Sequence, residues 1–420
     1  MKKHGILFIV PFMFIFLACK TNSEKTSTAD DVEKNTSIQD PETNTPDFEI
    51  LQSPIPEKAG KTLIVVTDPH GNGKLALSKF EKLAETFDCT IIGLNNVKNN
   101  TPDFIKKTEK DIETAKRILN INPEYLFTAG FSGGARMALI YASTHKTNGV
   151  LMCGAGINTQ NADKLNFPLA EVSGTEDFNF SEQYYSPFSP LAENKNIANL
   201  IFDGKHEWPP QEYILFAFTF LSERNNLKIN TKKDFMSKAN RLLYNKQYLK
   251  AFRMYEAAYK TGNNEAEKKI ADLYKNKNFR NYITKYEELL KKETERNKQY
   301  IKYIIEKNTE WWRNEVLKLN KLIKTEKEPE ATSLKRTKAF LGIALYSLTE
   351  KEISDPWSKN IDKFLQIYEY LEPENPDLWF FNAVRQEQKN NKQLSRKYLK
   401  RAFAFGFSDS VKIKNYGLNY

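Results

Sequence analysis

Tyr125-Leu-Phe-Thr-Ala-Gly130-Phe131-Ser132-Gly133-Gly134-Ala-Arg-Met-Ala138 is the stretch that decides the fold. Its first five residues form an apolar run suited to a strand, and the residues from Gly134 onward are small helix formers. Between them lies a G-x-S-x-G turn, whose small residues let the chain pass sharply from strand to helix. Ser132 then stands at a helix N-terminus, where the helix dipole favours developing negative charge.

Outward from this turn, short β-rich runs alternate with amphipathic stretches. Thr62–Thr67 precedes Leu75–Thr86, and Thr90–Leu94 precedes Phe104–Leu119. Gly134–Ser143 is followed by strands at Gly149–Cys153, Leu169–Ser173 and Asn199–Phe202, and a final helix spans Pro210–Leu221. Strands alternating with helices of 10–15 residues imply βαβ units and a mostly parallel sheet. The runs are nearly continuous in apolar residues, as a sheet covered on both faces requires. The fold class expected is therefore α/β over residues 48–225.

Beyond residue 230 the strand signal ends. Leu, Ile, Tyr, Phe and Trp recur at spacings of three and four, so residues 230–420 are expected to be all helical. Residues 240–259 and 379–403 share one helix-hairpin plan and resemble tetratricopeptide-type repeats. Residues 280–325 read as one or two longer helices.

A serine hydroxyl is a weak nucleophile near neutral pH and needs an adjacent base held by a third group. The chain has only 4 histidines. His4 lies in the N-terminal segment, His145 ends the helix after Ser132, and His70 precedes Gly71 beyond the first strong strand. His206, in Asp203-Gly-Lys-His206-Glu-Trp208-Pro, lies beyond the carboxyl end of the Asn199–Phe202 strand, where a base is expected. Asp177 follows the Leu169–Ser173 strand and is the first candidate for the acid, ahead of Glu176 and Asp203. An oxyanion must be met by backbone N–H groups. Gly133 supplies one, and Gly71 or Asn72, in the turn Asp68-Pro-His-Gly-Asn-Gly-Lys74, supplies the other. That turn ends in Gly-Lys but lacks the spacing of a phosphate loop, because Leu75 follows Lys74.

With these pieces in order, residues 60–222 resemble the α/β-hydrolase superfamily, closest to its dienelactone-hydrolase-like and polyhydroxybutyrate-depolymerase-like esterases. The matching residues are His70-Gly71, Gly130 to Gly134, Gly174 to Asp177, and His206 to Pro209. The resemblance implies acyl transfer to water, with Ser132 attacking, His206 shuttling the proton and Asp177 orienting it. It departs from related esterases at Lys205, where glycine is common. About a dozen residues separate the Cys153 and Leu169 strands, which leaves no room for a lid, so an open site is expected. His70, Phe131, Phe178, Tyr184 and Trp208 are the expected substrate contacts. The aromatic stretch Phe178 to Phe188 reads equally as a pocket wall or as core.

Composition limits the alternatives. The net charge of +10 divides into roughly −6 for residues 1–220 and roughly +16 for residues 221–420. The second half carries its lysines mixed with glutamates, as solvated helix surfaces do, and no nucleic-acid partner is expected. Of the 3 cysteines, Cys89 and Cys153 sit in strand-like runs, and no metal or disulfide spacing is present. Nothing in the sequence requires a metal or an organic cofactor. Met1-Lys-Lys, the apolar run Ile6 to Leu17 and Phe16-Leu-Ala-Cys19 resemble a bacterial lipoprotein signal over residues 1–19, with Cys19 lipidated. Residues 20–47, almost free of aliphatic side chains, are expected to be a disordered tether. A lipid-anchored enzyme of the bacterial cell envelope follows, with a small-molecule or glycan-linked ester as substrate and the helical region docking a partner or substrate. A non-catalytic binding lipoprotein and a peptidase of the same fold are the alternatives.

Overall fold

The computed structural model describes residues 47–53, 60–157, 165–227 and 233–418. The signal over residues 1–19, the lipidated Cys19 and the tether up to residue 46 lie outside the described residues. Among the described residues seven strands are formed: β1 (Phe48–Gln52), β2 (Thr62–Thr67), β3 (Thr90–Leu94), β4 (Tyr125–Phe131), β5 (Gly149–Cys153), β6 (Leu169–Gly174) and β7 (Ile197–Phe202). Among them run α1 (Gly73–Ser78), α2 (Glu81–Phe87), α3 (Phe104–Leu119), α4 (Gly133–Thr144) and α5 (Phe180–Gln183), with α6 (Gln211–Arg224) after β7. The helical region follows as α7 (Phe235–Tyr244), α8 (Tyr248–Lys260), α9 (Asn264–Lys275), α10 (Lys277–Glu306), α11 (Thr309–Thr325), α12 (Glu330–Glu352), α13 (Ile361–Leu371), α14 (Pro376–Gln388), α15 (Lys392–Ala404) and α16 (Ser410–Asn415).

The sheet order is β1-β3-β2-β4-β5-β6-β7. All neighbours are parallel except β1, which pairs antiparallel with β3 at one edge. The mostly parallel α/β sheet followed by a helical region, as expected from the sequence, is observed. The edge strand β1 was not anticipated. It is short, and only Phe48 is fully buried, so it lacks the continuous apolar run that marks the central strands. The single helix expected over Leu75–Thr86 is two, α1 and α2, interrupted at Lys79 and Phe80.

Strand order reverses between β2 and β4, because β3 lies on one side of β2 and every later strand on the other. The loops leaving β2 and β4 diverge there, and such a switch point opens a crevice at the carboxyl ends of the strands. Alternation along β2 serves both faces of the sheet. Leu63 and Val65 join Ile112 and Ala115 of α3, while Ile64 and Val66 join the cluster that contains α1, α2 and α6.

That second cluster does not stop at the α/β half. Ten consecutive residues of α6, Tyr213 to Ser222, are buried, because α6 is covered by the sheet on one side and by the helical region on the other. The cluster continues through α7, α8 and α9 to Leu290 in α10. Tyr300 to Leu418 form a second cluster of their own. Side-chain oxygens of Asp234, Asn263, Asn276, Asn308, Asn375 and Asn391 accept first-turn N–H groups and so fix where α7, α9, α10, α11, α14 and α15 begin.

Charge is buried where α8 meets the sheet. Glu256 accepts from Arg253 at 2.9 Å, Lys260 at 2.8 Å and the Tyr185 hydroxyl at 3.0 Å. Arg253 also donates to the Tyr185 carbonyl, and Lys260 to the Ile197 carbonyl at 2.6 Å.

Glu171, in the middle of β6, is 1% exposed. It accepts from the Ile157 N–H at 3.1 Å and from Asn199 Nδ2 at 3.2 Å. Burial pushes its carboxyl up to about 7 from the ordinary 4.5, against these hydrogen bonds. The folded chain therefore holds this proton through a pH range in which the unfolded chain has lost it. The stability Glu171 contributes falls as pH rises from about 4.5 to 7, by on the order of 3 kcal/mol. In urea melts, Glu171→Gln is expected to lose that part of the decline between pH 5 and pH 8. An unchanged pH slope would refute the assignment.

Candidate active site

Ser132 leaves β4 with φ 53° and ψ −119°, a backbone conformation that costs a non-glycine residue on the order of 1–3 kcal/mol. Its neighbours explain how the turn closes. A Cβ on Gly130 would meet the Gly134 carbonyl carbon at 2.4 Å, and one on Gly134 would meet the Thr67 carbonyl oxygen at 2.1 Å. Neither position can carry a side chain. The Ser132 N–H donates to the Cys153 carbonyl at 2.8 Å, which ties the turn to β5. The serine thus projects from a fixed corner at the N-terminus of α4.

Ser132, Asp177 and His206 come together from the ends of β4, β6 and β7. His206 Nε2 is 3.0 Å from Ser132 Oγ, and His206 Nδ1 is 2.9 Å from Asp177 Oδ1. A carboxylate can only accept, so Nδ1 carries the proton and Nε2 is left to accept from the hydroxyl. Asp177 is fully buried, and its Oδ1 also accepts the Asn179 N–H at 2.7 Å. Asn179 is anchored in turn by donating to the Gly154 carbonyl at 2.9 Å. The other acid candidates are engaged elsewhere: Asp203 pairs with Lys250 at 2.5 Å and Glu176 with Lys335 at 2.7 Å. His145 stacks on Tyr141 and pairs with Glu109 at 2.7 Å.

Gly133 opens α4, so its N–H is one of the four that a helix cannot satisfy internally. Of the two alternatives in the turn after β2, Gly71 requires correction. Its N–H donates to the Asp68 carbonyl at 3.1 Å and closes the tight turn that its φ of 70° permits. The N–H of Asn72 has no protein acceptor among the described residues, while the Asn72 side chain caps α1 through the Leu75 N–H at 2.9 Å.

His206 is flanked by aromatic rings, with Phe131 at 4.7 Å and Phe178 at 4.1 Å between centroids. Trp208 lies 5.4 Å from Phe131 and donates through Nε1 to Asp68 Oδ2 at 3.2 Å. His70 is exposed, and its backbone N–H donates to Asp68. Tyr184 is not with this group and is a second correction. Its hydroxyl donates to Glu287 of α10 at 3.0 Å and its ring packs 5.8 Å from Tyr286. Of the aromatic stretch from Phe178 to Phe188, then, Phe178 faces His206. Phe180, Tyr184, Tyr185 and Phe188 pack against the helical region.

Two residues at the site were not singled out in the sequence. Asp68, 2% exposed, joins two loops by accepting the His70 N–H at 2.9 Å on Oδ1 and Trp208 on Oδ2. Its position as the first residue beyond a buried strand was the available signal. Asn99 lies against the elbow, its Oδ1 at 1.8 Å from where a Gly133 Cβ would stand. No sequence spacing marks it.

The helical region reaches the loop beside the site. Lys335 and Arg336 of α12 reach the loop that carries Asp177. Burial raises the carboxyl of Asp377 in α14, an effect opposed by Lys412 and by His70. Burial likewise raises Glu372, opposed by Asn375, Lys338 and the Lys205 that precedes His206. Cys89 and Cys153 are buried and unpaired. Among the described residues, no group of three or more His, Cys, Asp or Glu side chains is placed to hold a metal ion, and no helix is long and apolar enough to cross a membrane.

No protein-family model matches the chain, and no curated protein does. Similar solved structures include an α/β serine hydrolase without a lid, XC6422 from Xanthomonas campestris. It is 15% identical, with 38% of this chain and 79% of that chain covered and a TM-score of 0.27. Esterase PE8 is 11% identical over 38% of this chain and 90% of its own, with a TM-score of 0.28. A structure from work on the metagenome-derived lipolytic enzymes LipS and LipT is 14% identical over 38% and 90%, with a TM-score of 0.23. At such values these likenesses carry no weight beside the sheet topology, which makes the first half of the chain a mostly parallel α/β fold.

Proposed function

We propose that the protein is a serine hydrolase that cleaves a carboxylic ester through an acyl-enzyme. The observation that carries this reading is the unbroken run of hydrogen bonds from Asp177 through His206 to Ser132. His206 Nε2 takes the hydroxyl proton as Ser132 Oγ attacks the ester carbonyl. The oxyanion is met by the Gly133 N–H and by an N–H of the turn at Asn72, while the positive end of the α4 dipole stabilises its charge. The imidazolium, held by buried Asp177, returns the proton to the departing alcohol. Water then attacks the acyl-Ser132 ester by the same route in reverse, releasing the acid.

The rings of Phe131, Phe178 and Trp208 around His206 favour an aryl or acyl ester of a glycan or small molecule. The lipoprotein signal would hold the enzyme at the cell envelope. A panel of p-nitrophenyl acetate, butyrate and benzoate with a p-nitroanilide tests the reading and separates an esterase from a peptidase. Wild-type protein is expected to turn over an ester, and Ser132→Ala to fall to background. A folded wild-type chain inert on the whole panel would leave the binding-protein alternative in its place.

A further inference from the structure

The loop that carries Asp177 is gripped from the helical region. Arg336, in α12, donates from Nη1 to the Thr175 carbonyl at 2.9 Å, across 161 residues of sequence. The guanidinium is buried, with its side chain 1% exposed; Nη1 also lies 3.4 Å from the Tyr286 hydroxyl, and Nε and Nη2 are directed at one carboxylate. Nε lies 3.0 and 3.1 Å from the two carboxylate oxygens of Glu293 in α10, and Nη2 lies 2.7 Å from Oε2. Its plane rests 4.9 Å from the ring of Phe180, just beyond the acid loop. Next to it, Lys335 pairs with Glu176 at 2.7 Å.

Thr175 is where a push would reach both the acid and the base. Its N–H donates to the Phe202 carbonyl at 2.9 Å, and the Glu176 N–H donates to Gly204 at 2.8 Å. A Cβ on Gly174 would stand 2.4 Å from the Lys205 carbonyl and 2.5 Å from that of Gly204. The acid loop and the loop before His206 are thus pressed backbone to backbone, with Asp177 two residues from Thr175. One donor on the Thr175 carbonyl, from a guanidinium whose Nε–Nη2 edge is fixed on Glu293, holds this pair of loops in one register.

We propose that Arg336, held by Glu293, is a positioning residue for His206 and Asp177, so that the helical region is part of the hydrolytic machinery and not only a docking surface. The proposal rests on the serine-hydrolase reading above. Glu293→Gln combined with Arg336→Met removes the ion pair without stranding a buried charge. The double variant is expected to remain folded with KM within about twofold of wild type. Its kcat should drop about 10- to 100-fold, as a small misplacement of reacting groups does. The acid limb of its kcat/KM profile should also move to lower pH, because a displaced Asp177 stabilises the imidazolium less. Arg336→Lys keeps a cation for Glu293 but has no fork to serve Thr175 as well, and its kcat should lie between the two. Arg385→Gln with Asp362→Asn, which breaks another ion pair within the helical region, should lower the melting temperature and leave kcat and the pH profile unchanged.

Wild-type protein that does not react with a fluorophosphonate overturns the underlying reading. Wild-type protein that does react, with either Arg336 variant folded and at wild-type kcat and pH profile, overturns this proposal alone. Equal loss of kcat in the Arg385 control would also overturn it, since destabilisation would then suffice.

Discussion

His206→Ala is expected to lower kcat on a p-nitrophenyl ester by about 10⁴-fold or more, with the fold intact. The imidazole contributes little to packing. Its neighbours are Ser132, Asp177, Phe131 and Phe178, and its side chain is 17% exposed. Its removal does not strand Asp177 entirely, because Oδ1 keeps the Asn179 N–H at 2.7 Å. The loss therefore falls on chemistry, since among the described residues no other histidine is hydrogen-bonded to the serine. His145 is occupied by Glu109, and the His70 loop is tied to Asp68. KM should change far less than kcat. A variant that retains its thermal melt and more than a tenth of wild-type kcat would contradict the role given to His206.

Ending the chain after Leu227 is expected to abolish folding, not merely partner binding. The cut uncovers the outer face of α6, where Phe216 packs 5.1 Å from Phe235. It also strips the helical cover from Phe180, Tyr184 and Phe188, whose rings meet Tyr286 and Phe279. Tyr185, now 6% exposed, loses Glu256 and Arg253 together. Exposing a large apolar side chain costs roughly 1.5–3 kcal/mol, and Phe180, Tyr184, Tyr185 and Phe216 together, Phe188 being half exposed already, approach the roughly 5–15 kcal/mol that holds an ordinary domain folded. The truncated chain should be insoluble, or expanded with no cooperative melt. A soluble fragment of residues 47–227 that melts cooperatively would show that the continuous core is dispensable.

The legible parts of the molecule were those with short-range signatures. The elbow could be read because a strand, two obligatory glycines and a helix follow one another within fourteen residues. His206 and Asp177 could be read because histidines are few and loops beyond parallel strands are where such groups gather. Gly71 was misassigned because glycine in a turn signals conformational freedom equally whether its N–H is exposed or spent on the turn itself. Tyr184 was misassigned because an aromatic run carries no mark of which side chains meet substrate and which meet another part of the chain. The grip of Arg336 on Thr175 had no sequence signal. Arg336 and Glu293 sit in helices rich in Lys and Glu, where a single buried pair looks like any solvated one. The same holds for Arg253, Glu256 and Lys260, which read as surface charges and are buried against the sheet.

The hydrolytic role of Ser132 is tested most directly by intact-mass measurement after incubation with a fluorophosphonate, followed by peptide mapping. One adduct per folded chain is expected, carried by Ser132, with the His206→Ala variant unmodified over the same interval. A folded wild-type chain that gains no mass, or gains it at another residue, would contradict that role.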